Sequence, residues 1–289
     1  MTSRDAQQYC TDLARRSGSN FYYSFYFLPQ ERRHAMHAVY AFCHEVDNTV
    51  DDPVPGANPR THLARWRADV AAIYRADGGA TASNPVIRCL ADHIRRLGIP
   101  QEYFDEIIAG VEMDLTIHRY ATFHDLFRYC YRVASVVGLV CLKIFGAQSP
   151  EAKTYAVNLG IAFQLTNILR DLKPDGQRGR IYLPAEDLTR FGYSEQELLT
   201  GAYTPAFVSL MEFQCRRAQE YYRAAAAAAA LPNSDRRALL PAEIMRAIYH
   251  TILERIETAR YRVFDRRITL SPPRRLAVAL GAWLKNTIR

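Results

Sequence analysis

Residues 149–175 read SPEAKTYAVNLGIAFQLTNILRDLKPD, and this stretch decides the fold. Ser149 followed by Pro150 is an N-cap and first-turn pair. The apolar-rich run behind it reads as one long helix ending near Asp171. Asp171 and Asp175 then stand i, i+4, a spacing that on a helix projects both carboxylates from one face, one turn apart. About 120 residues earlier, YAFCHEVDNTVDD (40–52) repeats the arrangement with Asp47 and Asp51. Like charges side by side on a helix repel unless a cation lies between them, and carboxylates closing an apolar stripe are costly to bury unless paired or metal-bound. Mg²⁺ is typically held by one or two carboxylates plus substrate phosphates. Two such pairs facing each other across a cavity would hold a diphosphate through Mg²⁺, or Mn²⁺ in its place. Asn167, four residues before Asp171 on the same face, adds an uncharged oxygen ligand.

Start and stop signals put the rest of the chain into helices as well, with no period-2 strand among them. Pro29 opens a helix through Val50. Asn84 and Pro85 open another that Gly98 closes, and Pro100 opens QEYFDEIIAGVEMDL. Pro205 opens a helix running through the alanine tract 224–230 to a stop at Leu231-Pro232. Residues 235–260 and 272–289 continue the pattern. The two breaks, DDPVPGANPR (51–60) and LKPDGQRGRIYLP (172–184), each abut an acid pair and read as non-helical site rims. No linker separates domains, so residues 1–289 form a single all-α domain, a helical bundle. Small residues recur in two central helices, Ala134, Ser135 and Gly138 in one, Ala156, Gly160 and Ala162 in the other. They suit close helix packing, a channel for a long apolar ligand, or both at once.

The chain has 289 residues, 49% of them hydrophobic, and a formal net charge of +7 from 37 Lys+Arg against 30 Asp+Glu. A basic balance suits nucleic acid, an anionic membrane surface or a polyphosphate about equally. Here the arginines are dispersed and the acid pairs end apolar helices, which argues against a nucleic-acid binder. Six cysteines without CxxC spacing read as buried small hydrophobes in a reducing compartment. The polar N-terminus has no secretory apolar core, and 133–145 is too short to span a bilayer. A cytoplasmic protein with peripheral membrane-surface contact is expected. His34 and His37 stand i, i+3 but lack partners for a zinc site.

Four motifs, SGSNFYYSFYFLP, YAFCHEVDNTVDD, YCYRVASVVGL and QLTNILRDLKPDGQRGRIYLP, occur in an order and at separations that resemble the squalene and phytoene synthases, the head-to-head trans-isoprenyl diphosphate synthases. The likeness runs from about residue 9 to residue 276. FYYSFYFLP and RGRIYLPAEDLTRFG are most similar to bacterial presqualene diphosphate synthase of the hopanoid route. The resemblance implies a bundle around a large cavity and Mg²⁺ held by Asp47, Asp51, Asn167, Asp171 and Asp175. It implies a substrate, farnesyl diphosphate, two copies of which condense to presqualene diphosphate. Tyr40, Asp47, Asp51, Tyr129 and Asp171 would be catalytic; Phe21, His44, Gln164, Arg170, Tyr182, Tyr249 and Arg267 would bind substrate. Asp114 lies at a family position, to pair with a site cation or to stand as an ordinary surface carboxylate.

The alternatives are a full squalene synthase, which alone would need NADPH, and a phytoene synthase joining two geranylgeranyl diphosphates. A degraded member acting as a partner subunit is a further alternative, and enzymes further along the squalene route are the protein partners implied. Three positions depart from many relatives. His44 stands in place of an arginine, four residues after Tyr40 on the same face. Asn48 replaces an aspartate. Pro174 disfavours the α region for its predecessor, so Asp175 is expected past the helix end, in a turn with Gly176.

Overall fold

The computed structural model describes residues 2–75, 83–227 and 232–287. Helices account for its regular structure, and among the described residues the only β feature is an isolated bridge between Arg119 and Ile181. In chain order the helices are α1 (Ser3–Arg16), α2 (Asn20–Phe25), α3 (Gln30–Asp51), α4 (Pro59–Ile73), α5 (Pro85–Leu97), α6 (Gln101–Met113) and α7 (Phe123–Cys130). A single π turn, Tyr131–Ser135, leads into α8 (Val136–Phe145). Then follow α9 (Pro150–Arg170), α10 (Leu172–Gln177), α11 (Ala185–Arg190), α12 (Glu195–Thr200), α13 (Pro205–Ala227), α14 (Asn233–Ala238), α15 (Leu240–Thr258) and α16 (Pro272–Thr287).

The expected start and stop signals sit where local chemistry needs them. Ser149 accepts from the Ala152 amide and Asn84 from the Val86 amide, while Gly98 ends α5 in the left-handed region at φ 57°. The alanine helix is described as far as Ala227; its expected stop at Leu231 lies outside the described residues.

The long central helix α9 packs against α13, α8, α15 and the π turn, while α3 packs against α1, α4, α5, α6 and α8. Gly160 explains how α9 meets the π turn. A methyl there would lie 2.5 Å from the Ser135 Cα, so the two backbones approach closer than any side chain permits. On the other flank a methyl at Gly110 of α6 would lie 2.7 Å from Val133. Close packing of the small residues is therefore real, and the channel described below uses the same stripe.

One expectation fails. Residues 172–184 were expected to be non-helical, with Asp175 in a turn beyond the helix. Instead the backbone breaks at Asp171 (φ −107°, ψ 19°) and re-enters a helix, α10, which carries Asp175. Pro174 is tolerated because it falls in the first turn of a new helix, where its missing N–H has no intrahelical partner to lose. The Asp175 amide donates to the Asp171 carbonyl at 3.0 Å.

Candidate active site

Three of the four paired acids lie at C-terminal helix ends, Asp47 and Asp51 in the last turns of α3 and Asp171 at the cap of α9, while Asp175 lies in the first turn of α10. A helix C-terminus is the negative pole of the macrodipole, so carboxylates there are disfavoured unless cations compensate. The two ends face one cleft of about 420 Å³, lined by Ser19, Phe21, Tyr40, His44, Gln164 and Asn167 among others. Five carboxylates (Asp47, Asp51, Asp114, Asp171, Asp175) and four guanidinium groups (Arg170, Arg178, Arg180, Arg267) line it. A larger hollow of about 530 Å³ lies on the outer side of α3, around Thr49 and Trp66, but contains none of the paired aspartates.

The cations divide between the two pairs. Arg180 donates to Asp51 Oδ1 at 2.5 Å, and Arg178 lies 3.4 Å from Oδ2. Arg267 grips Asp171 with both ends of its fork, at 2.8 and 3.0 Å, and Arg170 bonds the same carboxylate. Burial pushes the Asp171 carboxyl up, but the bonds from Arg170 and Arg267 outweigh it and hold it below the usual range. The carboxylates of Asp47 and Asp175 make no hydrogen bond or ion pair to a described residue. Asp47 is exposed to the cleft, yet protein surrounds its carboxyl, and enclosure followed by repulsion from Asp51 and Asp114 pushes it up to about 7. Burial and then Asp171 push Asp175 up to about 7 as well.

The arginines of QRGRIY are the residues sequence reading missed. Two cations within five residues of Asp175 were the available signal. A backbone bond from the Ile181 amide to the His118 carbonyl at 3.0 Å, with Arg119 donating to the Gly179 carbonyl, anchors that loop.

Asp114 is no surface group. It is 5% exposed and accepts from Tyr129 Oη at 2.9 Å and Tyr182 Oη at 2.8 Å. Burial raises its carboxyl despite the nearby Arg180 and both tyrosines. Tyr129 and Tyr182 line the cleft with stacked rings 5.1 Å apart, their hydroxyls turned to Asp114. His44 lies on the same face of α3 as Tyr40, as their spacing predicted, stacks on it at 5.9 Å and bonds Asn48 at 3.2 Å. Tyr249 is a correction. It lines neither the cleft nor the channel below, but stacks behind Phe163 at 4.6 Å and lies tilted against Phe21 at 5.5 Å. Its place in α15 puts it one layer back, supporting the rings that do line the site.

Off the cleft runs an apolar channel of about 250 Å³, sharing Phe21, Tyr40, Cys43, Val133, Gln164 and Asn167 with it. Ala134, Gly138, Ala156 and Gly160 form part of its wall, and Phe25, Met36, Phe145, Tyr155, Leu239 and Met245 are among its bulky lining. A polar cleft with acid pairs opening into an apolar tube suits a ligand with a polyanionic head and a hydrocarbon tail.

The squalene/phytoene synthase family model matches residues 14–274. The chain belongs to this family. Family members are prenyltransferases that join isoprenoid diphosphates head to head. The chain is 35% identical to the phytoene synthase of Arthrospira platensis, over 92% of this chain and 88% of that one. It is 36% identical to the phytoene synthase of Mycobacterium tuberculosis, over 93% and 88%. Its structure is similar to that of a dehydrosqualene synthase in complex with a ligand (TM-score 0.87, 28% identity, 99% and 98% covered). It is also similar to squalene synthase HpnC from Alicyclobacillus acidocaldarius (TM-score 0.79, 26% identity, 90% and 95% covered).

The donor set is compatible with Mg²⁺. Asp47, Asp51, Asn167, Asp171 and Asp175 offer only oxygen, and the buried Asn167 Oδ1 has no hydrogen-bond partner among the described residues. No three Asp, Glu, His or Cys side chains converge closely enough to hold an ion by themselves among those residues. Each ion would therefore take one or two protein carboxylates and complete its shell from diphosphate and water, the habit of Mg²⁺.

Proposed function

We propose that this protein condenses two farnesyl diphosphates to presqualene diphosphate with release of one diphosphate. The observation carrying this reading is the channel. From Asp47 at the cleft to Met36 at its far end is about 16 Å along α3, from the helical rise per residue. Phe25, Met36, Phe145 and Met245 add bulk to its lining, which favours a fifteen-carbon tail over a twenty-carbon one. Bound Mg²⁺, held by the two acid pairs and Asn167, would neutralise diphosphate charge and ease departure of the leaving group.

Arg178, Arg180 and Arg267 supply the protein's own positive charge to the two diphosphates. The C1–O bond of one farnesyl unit breaks with its electron pair leaving on diphosphate. The C2–C3 double bond of the second unit attacks the allylic cation, and proton loss with ring closure gives the cyclopropyl product. The faces of Phe21 and Tyr40, where cleft meets channel, stabilise positive charge at that point. Enclosure by Phe21, Tyr40 and Tyr129 keeps water from quenching it.

A second reading, condensation of two geranylgeranyl diphosphates to phytoene, is favoured by the phytoene synthases among the relatives. Incubation with Mg²⁺ and labelled C15 or C20 diphosphate, with and without NADPH, separates the two. Presqualene diphosphate from the C15 substrate, unchanged by NADPH, is the expected result. Phytoene from the C20 substrate, or squalene released with NADPH, overturns it.

A further inference from the structure

The helix α16 carries apolar side chains on the wrong side. Leu276, Leu280 and Leu284 stand i, i+4, i+8 and are 49%, 43% and 49% exposed. Ala277 and Gly281 are exposed beside them, so the ridge is flanked by nothing that would shield it. The opposite side is the packed one. Ala279 is fully buried, Trp283 packs on the core with its ring 6.3 Å from Phe27, and the Arg275 side chain donates to the Gly18 carbonyl at 2.7 Å. The helix is thus held on α15 and α2 by one face and presents leucines with the other. A scattered exposed leucine means nothing, but three in one row on a single helix form a continuous strip.

The charge next to the strip has one sign. On the helical wheel Arg274 and Lys285 fall together at one border of the leucine row, both exposed, and α16 contains no acidic residue. An apolar strip with a basic border on a surface helix is the pattern that lies in the interface of an anionic bilayer. No helix of the described residues is long and apolar enough to cross one.

We propose that α16 docks this protein on an anionic bilayer, with Leu276, Leu280 and Leu284 entering the headgroup–acyl boundary and Arg274 and Lys285 facing the lipid phosphates. Charge complementarity selects this occupant over a second copy of the chain. A copy would set Arg274 and Lys285 against the same basic border, whereas a leaflet of anionic headgroups neutralises it. Arg275 ties Gly18 to the packed side of α16, so Ser19 and Phe21 would lie behind the docked helix, about one helix diameter from the lipid. Since Ser19 and Phe21 line the cleft, the cleft would sit within that distance of the lipid phase that holds prenyl chains. That consequence, unlike the docking itself, rests on the proposed prenyl substrate.

The test is co-flotation of the full-length protein, without substrate, with vesicles of phosphatidylcholine and with vesicles of phosphatidylcholine and phosphatidylglycerol in equal parts. The wild type is expected to float with the anionic vesicles and not with the neutral ones. The triple variant Leu276→Ser/Leu280→Ser/Leu284→Ser should lose binding by about tenfold or more, from the apolar area withdrawn. The variant Arg274→Glu/Lys285→Glu should lose the preference for anionic lipid. Both change solvent-facing side chains, and an unchanged thermal melt together with unchanged turnover of detergent-dispersed substrate would establish that they fold. Equal flotation of wild type and the triple variant, or no flotation of the wild type, overturns the proposal. So does a lipid-free wild type that sediments as a dimer and becomes monomeric in the triple variant, because the ridge would then be covered by a second copy. None of these readouts depends on which prenyl diphosphate is turned over, so failure here leaves the reaction reading intact.

Discussion

Arg180 donates to Asp51 at 2.5 Å although 129 residues separate them in the chain. The bond fastens the loop behind α10 to the last turn of α3, so each acid pair's element is tied to the other's. It also places in direct contact a carboxylate suited to metal and a cation suited to diphosphate. Asp51 and Asp171 are thus paired within the protein, and substrate entry exchanges these ion pairs for others.

Arg180→Gln should therefore cost both stability and turnover. Asp51 and the buried Asp114 both lose a compensating charge, and breaking a largely buried pair costs about 3 kcal/mol. In a chain this long that corresponds to a melting temperature lower by roughly 6–12 °C. Adding Asp51→Asn should recover most of the stability and none of the activity. Thermal melts and turnover of the wild type and the two variants measure this; an unshifted melt for Arg180→Gln would show the pair to be energetically idle.

The two acid pairs should respond differently to neutralisation. Asp47→Asn and Asp171→Asn should each lower kcat by about a hundredfold or more, as expected for loss of an electrostatic group at a reacting diphosphate. Their melts should diverge. Asp47 repels Asp51 and Asp114, so Asp47→Asn should melt at or above the wild type. Asp171 is held by Arg170 and Arg267, so Asp171→Asn leaves the buried Arg170 unpaired and should melt lower. Equal melts would mean that the ligand-free charge network is not as described.

That contrast marks how far the sequence could be read. Helix ends were legible because Ser149, Asn84 and Gly98 act through their own few neighbours. The acid pairs were legible because i, i+4 is a local relation, and the shared face of Tyr40 and His44 for the same reason. The partners of those acids were not: Arg267 reaches Asp171 across 96 residues and Arg180 reaches Asp51 across 129. Tyr249 was misplaced by one layer because an aromatic that lines a cavity and one that backs it share the same helical spacing. Asp175 was misplaced because proline breaks a helix interior yet fits a first turn, and only tertiary packing decides which turn it occupies.

Stability should fall as pH rises through neutrality. Asp47 and Asp175 are raised to about 7 in the folded protein, above the ~3.9 of an unfolded aspartate. Between those values the folded state binds more protons than the unfolded state, so the slope of unfolding free energy with pH is negative. The contribution is complete below the unfolded value and gone once pH passes the folded value near 7. Screening by cleft water limits each site to about 1 kcal/mol. The melting temperature should drop by a few degrees from pH 5.5 to pH 8, Asp47→Asn/Asp175→Asn should flatten the drop, and Mg²⁺ with inorganic diphosphate should restore stability chiefly at pH 8. A melt profile in the double variant parallel to that of the wild type would refute the assignment.

Chain-length selection should answer to the channel rather than to the acid cleft. Met36 lies at the far end of the tube on the same helix as Asp47, and Val137 lies on its wall, half-exposed only because it faces the tube. Met36→Ala removes bulk where a longer tail would end. It should improve kcat/KM for the C20 diphosphate relative to the C15 by about tenfold, at a stability cost of about 2–3 kcal/mol for the buried methionine. Val137→Phe adds bulk to the wall and should raise KM for the C15 substrate by about tenfold while leaving inorganic diphosphate inhibition unchanged, since the cleft is untouched. The two variants, assayed with both substrates against inorganic diphosphate as a head-group probe, separate tail from head. If Met36→Ala keeps the wild-type preference and Val137→Phe weakens inorganic diphosphate as strongly as substrate, the channel does not hold the tail, and the fifteen-carbon reading loses its support.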